Sequence, residues 1–160
     1  MTVDPITLRR VCSEFATGVA IIATEHVGGG VCGLTANAFS SVSLEPPLVL
    51  VCLDRSAGTH GCVRTHGRFC ASFLAAGQRE LALRFAERRD DKFDGVPYTL
   101  GTTGSPVVNG SIGHVECEVH DELEGGDHTI FLARVVAAAA VGGEPLVFFR
   151  GEYTTAVPGT

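Results

Sequence analysis

Residues 33–47, GLTANAFSSVSLEPP, run directly into the apolar segment 48–53, LVLVCL. The first segment is crowded with hydroxyl and amide side chains and carries no charge before Glu45. Because this composition suits neither an exposed surface nor a packed core, it favours the wall of a site that hydrogen-bonds a large, flat ligand with polar edges. The alternative interpretation is a serine-rich edge strand whose hydroxyls cap turns.

Composition and charge limit the function classes. The chain has 160 residues, 45% of them apolar and 19% charged, which predicts one folded domain over residues 1–160. Its net charge of -6 argues against a nucleic-acid surface, which needs clustered Lys and Arg. The one basic cluster is interleaved with acidic residues, so we interpret it as a solvated helix face; it contains Arg84, Arg88, Arg89 and Lys92.

Membrane and metal sites are not indicated by the sequence. No apolar run reaches the roughly 18 residues of a membrane span, and the N-terminus lacks the apolar core of a signal peptide, so we expect a cytoplasmic protein without a membrane partner. The six cysteines form no C-x-x-C pair, which favours free thiols, most of them in apolar runs, over disulfides or bound metal.

The order of elements predicts a mainly β protein, an antiparallel barrel with a few helices. Asp4 and Pro5 can start a helix whose apolar face includes Leu8, Val11, Cys12 and Phe15, and which ends at Gly18. Ser56 is a candidate cap for the second helix. We predict further helices at 57–65 and 78–87, and strands at 19–24, 31–37, 48–53, 69–74, 111–122, 129–140 and 146–150, with a long loop at 88–110 that holds a short strand near Tyr98. In the strand at 111–122, His114, Glu116, Glu118 and His120 are expected on a solvent-facing side.

A glycine motif near the start of the chain imitates a dinucleotide-binding fingerprint. Gly28, Gly30 and Gly33 spell G-x-G-x-x-G, with Asp54 about 20 residues further on. That motif requires a helix to begin at the third glycine, so that backbone amides meet a pyrophosphate. The residues after Gly33 are poor helix formers and end at two prolines, so a glycine hairpin is the better interpretation.

The segment 33–47 resembles the signature of the flavin reductase-like family, the split-barrel reductases that supply reduced flavin to two-component monooxygenases. A second motif, Gly126-Asp127-His128-Thr129, resembles the Gly-Asp-His tripeptide of that family. The resemblance extends from Phe15-Ala16-Thr17-Gly18-Val19 to Tyr153. It implies an antiparallel FMN-binding split barrel and a homodimer.

The resemblance also implies which residues contact the flavin. It places Gly33, Leu34, Thr35, Ala36, Asn37, Ser41, Val42 and Ser43 along the ring, with Cys52 and Leu53 beside them, and Asp54, Arg55, Ser56 and Thr59 near the ribityl phosphate. The alternative for the last group is an ordinary capped helix with a surface Arg. Two positions depart from the family pattern: Ala38 replaces a common Ser, and Ala133 replaces a common Gly.

Aromatic and histidine residues complete the implied site. Phe85 and the segment Asp91-Lys92-Phe93 match a family pattern in which an aromatic ring lies near the flavin. Core packing explains Phe85 equally well, and a solvated side chain explains Lys92. The resemblance places His128, with Asp127, beside the nicotinamide as the catalytic pair, whereas a histidine near a turn is more often structural.

The expected function is therefore that of an NAD(P)H:flavin oxidoreductase. It would pass a hydride from NADH or NADPH to FMN or FAD and supply the reduced flavin to a flavin-dependent monooxygenase. Two alternatives remain open at this point. One is a non-catalytic flavin carrier or redox module on the same barrel. The other is a pyridoxamine-phosphate-oxidase relative, which would need grouped basic and aromatic residues that the sequence does not show.

Overall fold

The structure, a computed structural model, describes residues 1–159. It contains three α-helices and a short 3-10 turn (Ala76–Gln78) among twelve strands. The helices are α1 (Pro5–Cys12), α2 (Gly58–His66) and α3 (Arg79–Ala86). The strands are β1 (Thr17–Gly18), β2 (Ala20–Glu25), β3 (Val31–Ala36), β4 (Phe39–Leu44), β5 (Pro47–Asp54), β6 (Arg68–Phe73), β7 (Tyr98–Leu100), β8 (Pro106–Val108), β9 (Gly113–Gly125), β10 (His128–Ala140), β11 (Leu146–Phe149) and β12 (Glu152–Thr155).

The main sheet has seven strands in the order β3-β2-β6-β9-β10-β5-β4, and every neighbouring pair is antiparallel. Its two edge strands, β3 and β4, follow each other in the chain with only Asn37 and Ala38 between them. Two residues span at most about 11 Å between the flanking Cα atoms, so the two edges of the sheet must approach each other. The backbone N–H of Cys52 on β5 also donates to the carbonyl of Ala38 at 3.0 Å. The sheet is therefore rolled into an incomplete, split barrel, which confirms the predicted fold class.

Two apolar clusters hold the barrel and its outer layer. Inside the rolled sheet, Ile22, Val51, Phe69 and Phe131 are fully buried. On the outer face of β2, Ile21 packs with residues of α3 and the strands β8 and β11. Both faces of β2 are therefore covered, which explains why this strand reads as a continuous apolar run rather than an alternating one.

The first helix is shorter than predicted. Asp4 caps it as expected, accepting a hydrogen bond from the Thr7 N–H at 3.0 Å, with Pro5 at the first position. The helix ends at Cys12 rather than at Gly18, because the chain must extend to pair β1 with β11. None of its residues is buried, and Phe15 beyond it is 79% exposed. The predicted apolar face therefore has no partner within one chain.

Two other predictions are wrong, and two further strands were not predicted. Ala57, not Ser56, precedes α2, and its side chain forms no capping hydrogen bond. The C-terminal strand β12 and the partner of the Tyr98 strand, β8, were not predicted.

Glu116 does not face solvent: it is 3% exposed and accepts hydrogen bonds from the backbone N–H and the hydroxyl of Thr103, at 2.8 and 3.1 Å. The loop before β8 covers this part of β9, a tertiary contact that strand alternation alone does not reveal.

None of the helices within residues 1–159 is both long and apolar enough to cross a membrane. All six cysteines are free. Within those residues no group of three or more His, Cys, Asp or Glu side chains is placed to hold a metal ion.

Candidate functional site

A cavity of about 460 Å³ lies between β3, the start of α2 and the end of α3, and it is the main cavity in the sense that more of the predicted site residues line it than line either of the other two cavities described below. Its walls come from parts of the chain that are far apart in sequence, and the strand order of the sheet brings them together. Seven of the predicted flavin-contacting residues line it: Gly33, Leu34, Thr35, Asp54, Ser56, Thr59 and Phe85.

The wall at β3 exposes backbone hydrogen-bonding groups, because β3 pairs only with β2 and its other side is an edge. The carbonyl of Gly33 points away from β2, since it accepts a hydrogen bond from Lys92 Nζ at 3.1 Å. Main-chain groups two residues apart on a strand point to the same side, so the N–H and C=O of Thr35 also face outward. This edge offers one donor and one acceptor on a rigid element, as a flat ring with polar edges requires.

Gly33 is required by close packing at this point. A Cβ atom there would lie 3.0 Å from the Ile22 carbonyl oxygen and 3.2 Å from the rings of Phe85 and Phe93. These two rings meet edge-to-face with centroids 4.8 Å apart. Phe85 is fully buried, so it belongs to the core as well as to the cavity wall.

Lys92 is not a solvated surface side chain, contrary to one of the interpretations above. Its ammonium donates to the carbonyls of Gly33 and Phe85, each at 3.1 Å, and thereby ties β3 to the end of α3. Burial lowers the pKa of Lys92. Thr35 makes a second tie between the same elements, because its hydroxyl donates to the Ala82 carbonyl at 2.6 Å. The hydroxyl of Thr35 is therefore held by α3, while its backbone groups remain free for a ligand.

The turn from β5 into α2 forms the opposite end of the cavity. Asp54 Oδ1 accepts hydrogen bonds from the backbone N–H and the hydroxyl of Ser56, at 2.8 and 2.7 Å. These bonds lower the pKa of Asp54. The guanidinium of Arg88 then donates to Ser56 Oγ at 2.8 Å. Arg88 was not predicted as a site residue; only its position shortly before the Asp91-Lys92-Phe93 motif could have indicated it.

Arg55 lies on the other side of this turn. Its guanidinium is 3.8 Å from Glu124 and lines a separate polar cavity of about 470 Å³. His60 lines that cavity too, although the residue is only 5% exposed and its Nε2 is 2.8 Å from Thr129 Oγ1. Burial is the main cause of the lowered pKa of His60. Arg55 therefore lines a different cavity from Ser56 and Thr59, although the resemblance implied that all three lie near the ribityl phosphate.

The hairpin between β9 and β10 carries the Gly-Asp-His motif. Asp127 Oδ1 is 2.7 Å from His128 Nδ1, and both side chains are accessible. The register of β10 on β5 places His128 directly opposite Asp54, and the backbone N–H of Arg55 donates to the Asp127 carbonyl at 3.0 Å. Two motifs more than 70 residues apart therefore meet at one end of the barrel, although His128 itself does not line the main cavity.

The remaining predicted residues lie elsewhere on the barrel. Ala36 and Asn37 line a second, mainly apolar cavity of about 290 Å³ together with Phe15 and Thr17. Asn37 is exposed, and its side chain forms no hydrogen bond within residues 1–159. On the edge strand β4, Ser41 and Val42 are exposed and Ser43 is half-buried; on β5, Cys52 is half-buried and Leu53 is 1% exposed.

Thiols also lie at the main cavity. Cys32 lines it, and burial, followed by the neighbouring thiol of Cys62, raises the pKa of Cys32. A buried, protonated thiol acts as a small apolar group and a weak hydrogen-bond donor.

Comparison with known proteins identifies relatives that match nearly the whole chain. The family model described as "Flavin reductase like domain" matches residues 12–156. The flavin-dependent monooxygenase reductase subunit HsaB of Rhodococcus jostii is 38% identical over 157 residues, covering 98% of this chain and 80% of that protein.

Solved structures of flavin reductases are also similar to this chain over nearly its whole length. The NADH:FAD oxidoreductase SgcE6 of Streptomyces globisporus, in complex with NAD and FAD fragments, superposes with a TM-score of 0.90 at 40% identity, covering 99% of this chain and 98% of the other. The styrene monooxygenase flavin reductase of Pseudomonas putida S12 gives a TM-score of 0.87 at 35% identity, covering 95% and 98% of the two chains.

Proposed function

Because this chain belongs to the flavin reductase-like family, we propose that it is an NAD(P)H:flavin oxidoreductase that supplies reduced flavin to a partner monooxygenase. Residues 1–160 act as a single domain in this proposal. One observation from the geometry carries it: the register of β10 on β5 sets His128 opposite Asp54, so the Gly-Asp-His hairpin adjoins the main cavity. Cytoplasmic location fits six cysteines that are all free.

The main cavity fits a flavin. The exposed edge of β3 supplies a donor and an acceptor at Thr35, Phe85 and Phe93 supply aromatic surface behind it, and the turn at Ser56 supplies polar groups at the far end. FMN or FAD, when bound, supplies the hydride-accepting chemistry, and NADH or NADPH is the donor. The protein binds and orients the two cofactors.

His128 has a defined task in this arrangement. When Nδ1–H donates to Asp127, the imidazole is held in one orientation and Nε2 is left as an acceptor. An acceptor of this kind can take a hydrogen bond from the carboxamide of a nicotinamide and so fix the ring that carries the hydride. Asp127 acts by orienting His128.

The experiment that tests this function is oxidation of NADH and NADPH by the purified protein with and without added FMN, FAD or riboflavin, followed at the nicotinamide absorbance band. We expect a rate proportional to free flavin at low concentration. Flavin binding without any flavin-dependent oxidation would instead identify a carrier or redox module, and absence of both would refute the proposal.

We further propose that the chain forms a homodimer. Apolar side chains with no partner inside one chain are gathered in and after α1 and on the edge strand β4: Ile6 is 81% exposed, Phe15 79% and Leu44 92%. A face of this kind is typical of a subunit interface. Light scattering at micromolar concentration should give about twice the chain mass of 16.7 kDa. A particle of one chain mass under those conditions would contradict the dimer.

Asn37→Ala should weaken flavin binding about tenfold while leaving the melting temperature nearly unchanged. The side chain is exposed and makes no hydrogen bond within residues 1–159, so its removal costs little folding free energy. If Asn37 binds the ring edge, a donor and an acceptor are lost together, which costs about 1–3 kcal/mol. Flavin titration and thermal melting of the same preparation check this, with Asn109→Ala, an exposed side chain of the same type, as the control. Equal flavin affinity in parent and Asn37→Ala would leave Asn37 without a role in binding.

A further inference from the structure

Lys92 is a half-buried cation of the main cavity that has no acidic counter-ion among the described residues. It lines the cavity, and its ammonium takes part in no ion pair within residues 1–159. A lysine that is withdrawn from water is usually paired with a carboxylate, because an unpaired charge is costly to bury. The carbonyls of Gly33 and Phe85 accept two of its N–H donors but leave the positive charge uncompensated.

The acidic side chains next to Lys92 in the sequence do not neutralise it. Glu87 and Asp91 are both bound to Arg89. Asp90 is exposed at the rim of the cavity, where water and salt screen its charge. The space around the ammonium can therefore accept a negative charge from a ligand.

The ammonium stands at the β3 edge that we assign to the flavin. It is 3.1 Å from the Gly33 carbonyl oxygen, on the side of β3 to which the N–H and C=O of Thr35 also point. Two residues of a strand span roughly 7 Å, so the charge lies close to both backbone groups. A lysine ammonium has three N–H donors, and the third has no acceptor within residues 1–159.

We propose that the unpaired charge of Lys92 stabilises the reduced flavin relative to the oxidised flavin and so raises the reduction potential of the bound cofactor, while its two hydrogen bonds position the β3 edge. A hydride adds two electrons and one proton to a neutral ring, so the reduced ring carries one negative charge. A positive group held near the ring favours that form.

Limited solvation strengthens this effect. Burial, which is the main cause of the lowered pKa of Lys92, also leaves the field of its ammonium less screened by water. Arg88, which has no acidic partner within residues 1–159 either, is exposed, so its field is weaker. The proposal rests on the proposed function, since it concerns the same flavin site.

The experiment separates the charge of Lys92 from its hydrogen bonds. Lys92→Gln and Lys92→Met are both neutral, so the test does not depend on one of them folding, and Lys92→Arg keeps the charge. Thr35→Val removes the other tie between β3 and α3, the 2.6 Å hydrogen bond to the Ala82 carbonyl, without changing any charge. Arg79→Gln is the charge control, because Arg79 is exposed, pairs with Glu80 and lies at the opposite end of α3.

Two quantities are measured for each variant, and neither requires turnover. The Kd of oxidised FMN is obtained from the quenching of flavin fluorescence. The midpoint potential of FMN, free and bound to excess protein, is obtained by anaerobic chemical reduction beside a reference dye. Together they give the Kd of reduced FMN. The series is repeated with FAD, and each flavin-free variant is melted to confirm folding.

We expect both neutral variants to raise the Kd of reduced FMN, relative to that of oxidised FMN, about tenfold, which lowers the midpoint potential by about 30 mV for a two-electron couple. Lys92→Arg and Arg79→Gln should keep the ratio of the parent within about twofold, because the charge near the ring is retained. Thr35→Val should weaken binding of both forms alike and lower the melting temperature.

Two results would overturn the proposal. An unchanged ratio in both neutral variants would leave Lys92 as a structural tie alone. An equal change of the ratio in Thr35→Val would assign the effect to a displaced β3 edge rather than to charge. If the parent oxidised neither NADH nor NADPH, the reductase function would be refuted, yet the potential of chemically reduced FMN would still test Lys92. A parent that bound neither FMN nor FAD would refute both.

Discussion

His128→Ala is expected to slow reduction of bound flavin about 10- to 100-fold while leaving flavin affinity nearly unchanged. The imidazole is fixed through Nδ1 by Asp127 at 2.7 Å and stands opposite Asp54, beside the main cavity but not in its lining. A residue in that position can orient the nicotinamide without holding the flavin. Loss of orientation alone costs factors of this size in rate.

Stopped-flow reduction of the flavin-loaded protein across a range of NADH concentrations measures this effect, and a flavin titration of the same variant separates the two cofactors. His120→Ala is the matched control, because His120 is an exposed histidine on β9 whose side chain forms no hydrogen bond within residues 1–159. Asp127→Asn should give an intermediate loss, since the imidazole remains but its orientation is less well fixed. A purely structural His128 would instead lower the melting temperature and affect both cofactors together.

Phe85→Ala is expected to lower the free energy of unfolding by about 3–5 kcal/mol. Phe85 is fully buried, meets Phe93 edge-to-face, and belongs to the apolar cluster between β2 and α3. Removing its ring leaves a void beside Gly33, because Cε1 of that ring lies 3.2 Å from where a Cβ atom of Gly33 would be. The β3 edge should then lose its rigid backing, so flavin affinity falls as well.

Thermal and denaturant unfolding of the flavin-free protein measure the stability change, and the melting temperature should fall by about 6 °C or more. Phe85→Leu, which keeps most of the apolar volume, should lose about 1–2 kcal/mol. Leu83→Ala on the same helix is the control, because Leu83 is 37% exposed and its truncation should cost less than about 1 kcal/mol. If Phe85 only contacted the flavin, Phe85→Ala would melt like the parent in the absence of flavin.

Much of the fold follows from local sequence patterns. The apolar run of β5, the β-branched run of β2 and the caps of α1 each determine their element through short-range chemistry. Element ends were less predictable where a tertiary partner fixes them. The chain after α1 becomes extended because β1 pairs with β11, about 130 residues later, and no residue near Gly18 encodes that pairing.

The residues of the candidate site also fall into two groups: those that the sequence indicates and those whose role depends on tertiary contacts. Gly33, Thr35, Asp54 and Ser56 could be selected from the sequence, because residue type and motif resemblance both indicated them. The roles of Lys92 and Arg88 could not, since each depends on which distant atoms lie within about 3 Å: two carbonyls for Lys92, the Ser56 hydroxyl for Arg88. A cluster of alternating charges looks the same in sequence whether it is solvated or folded into a cavity.

Strand patterns and motif residues are local properties, so the fold class, the family and most of the residue types that a flavin site needs could be predicted before any tertiary contact was known. Tertiary structure decided which of those residues share a cavity. Only Asn37 and Ala38 separate the two edge strands, so the sheet must roll up, and this rolling leaves Thr35 and Asn37 in different cavities although they are two positions apart. Register between β5 and β10 likewise brings His128 to Asp54, a contact set by hydrogen-bond pairing along seven residues of each strand rather than by either motif.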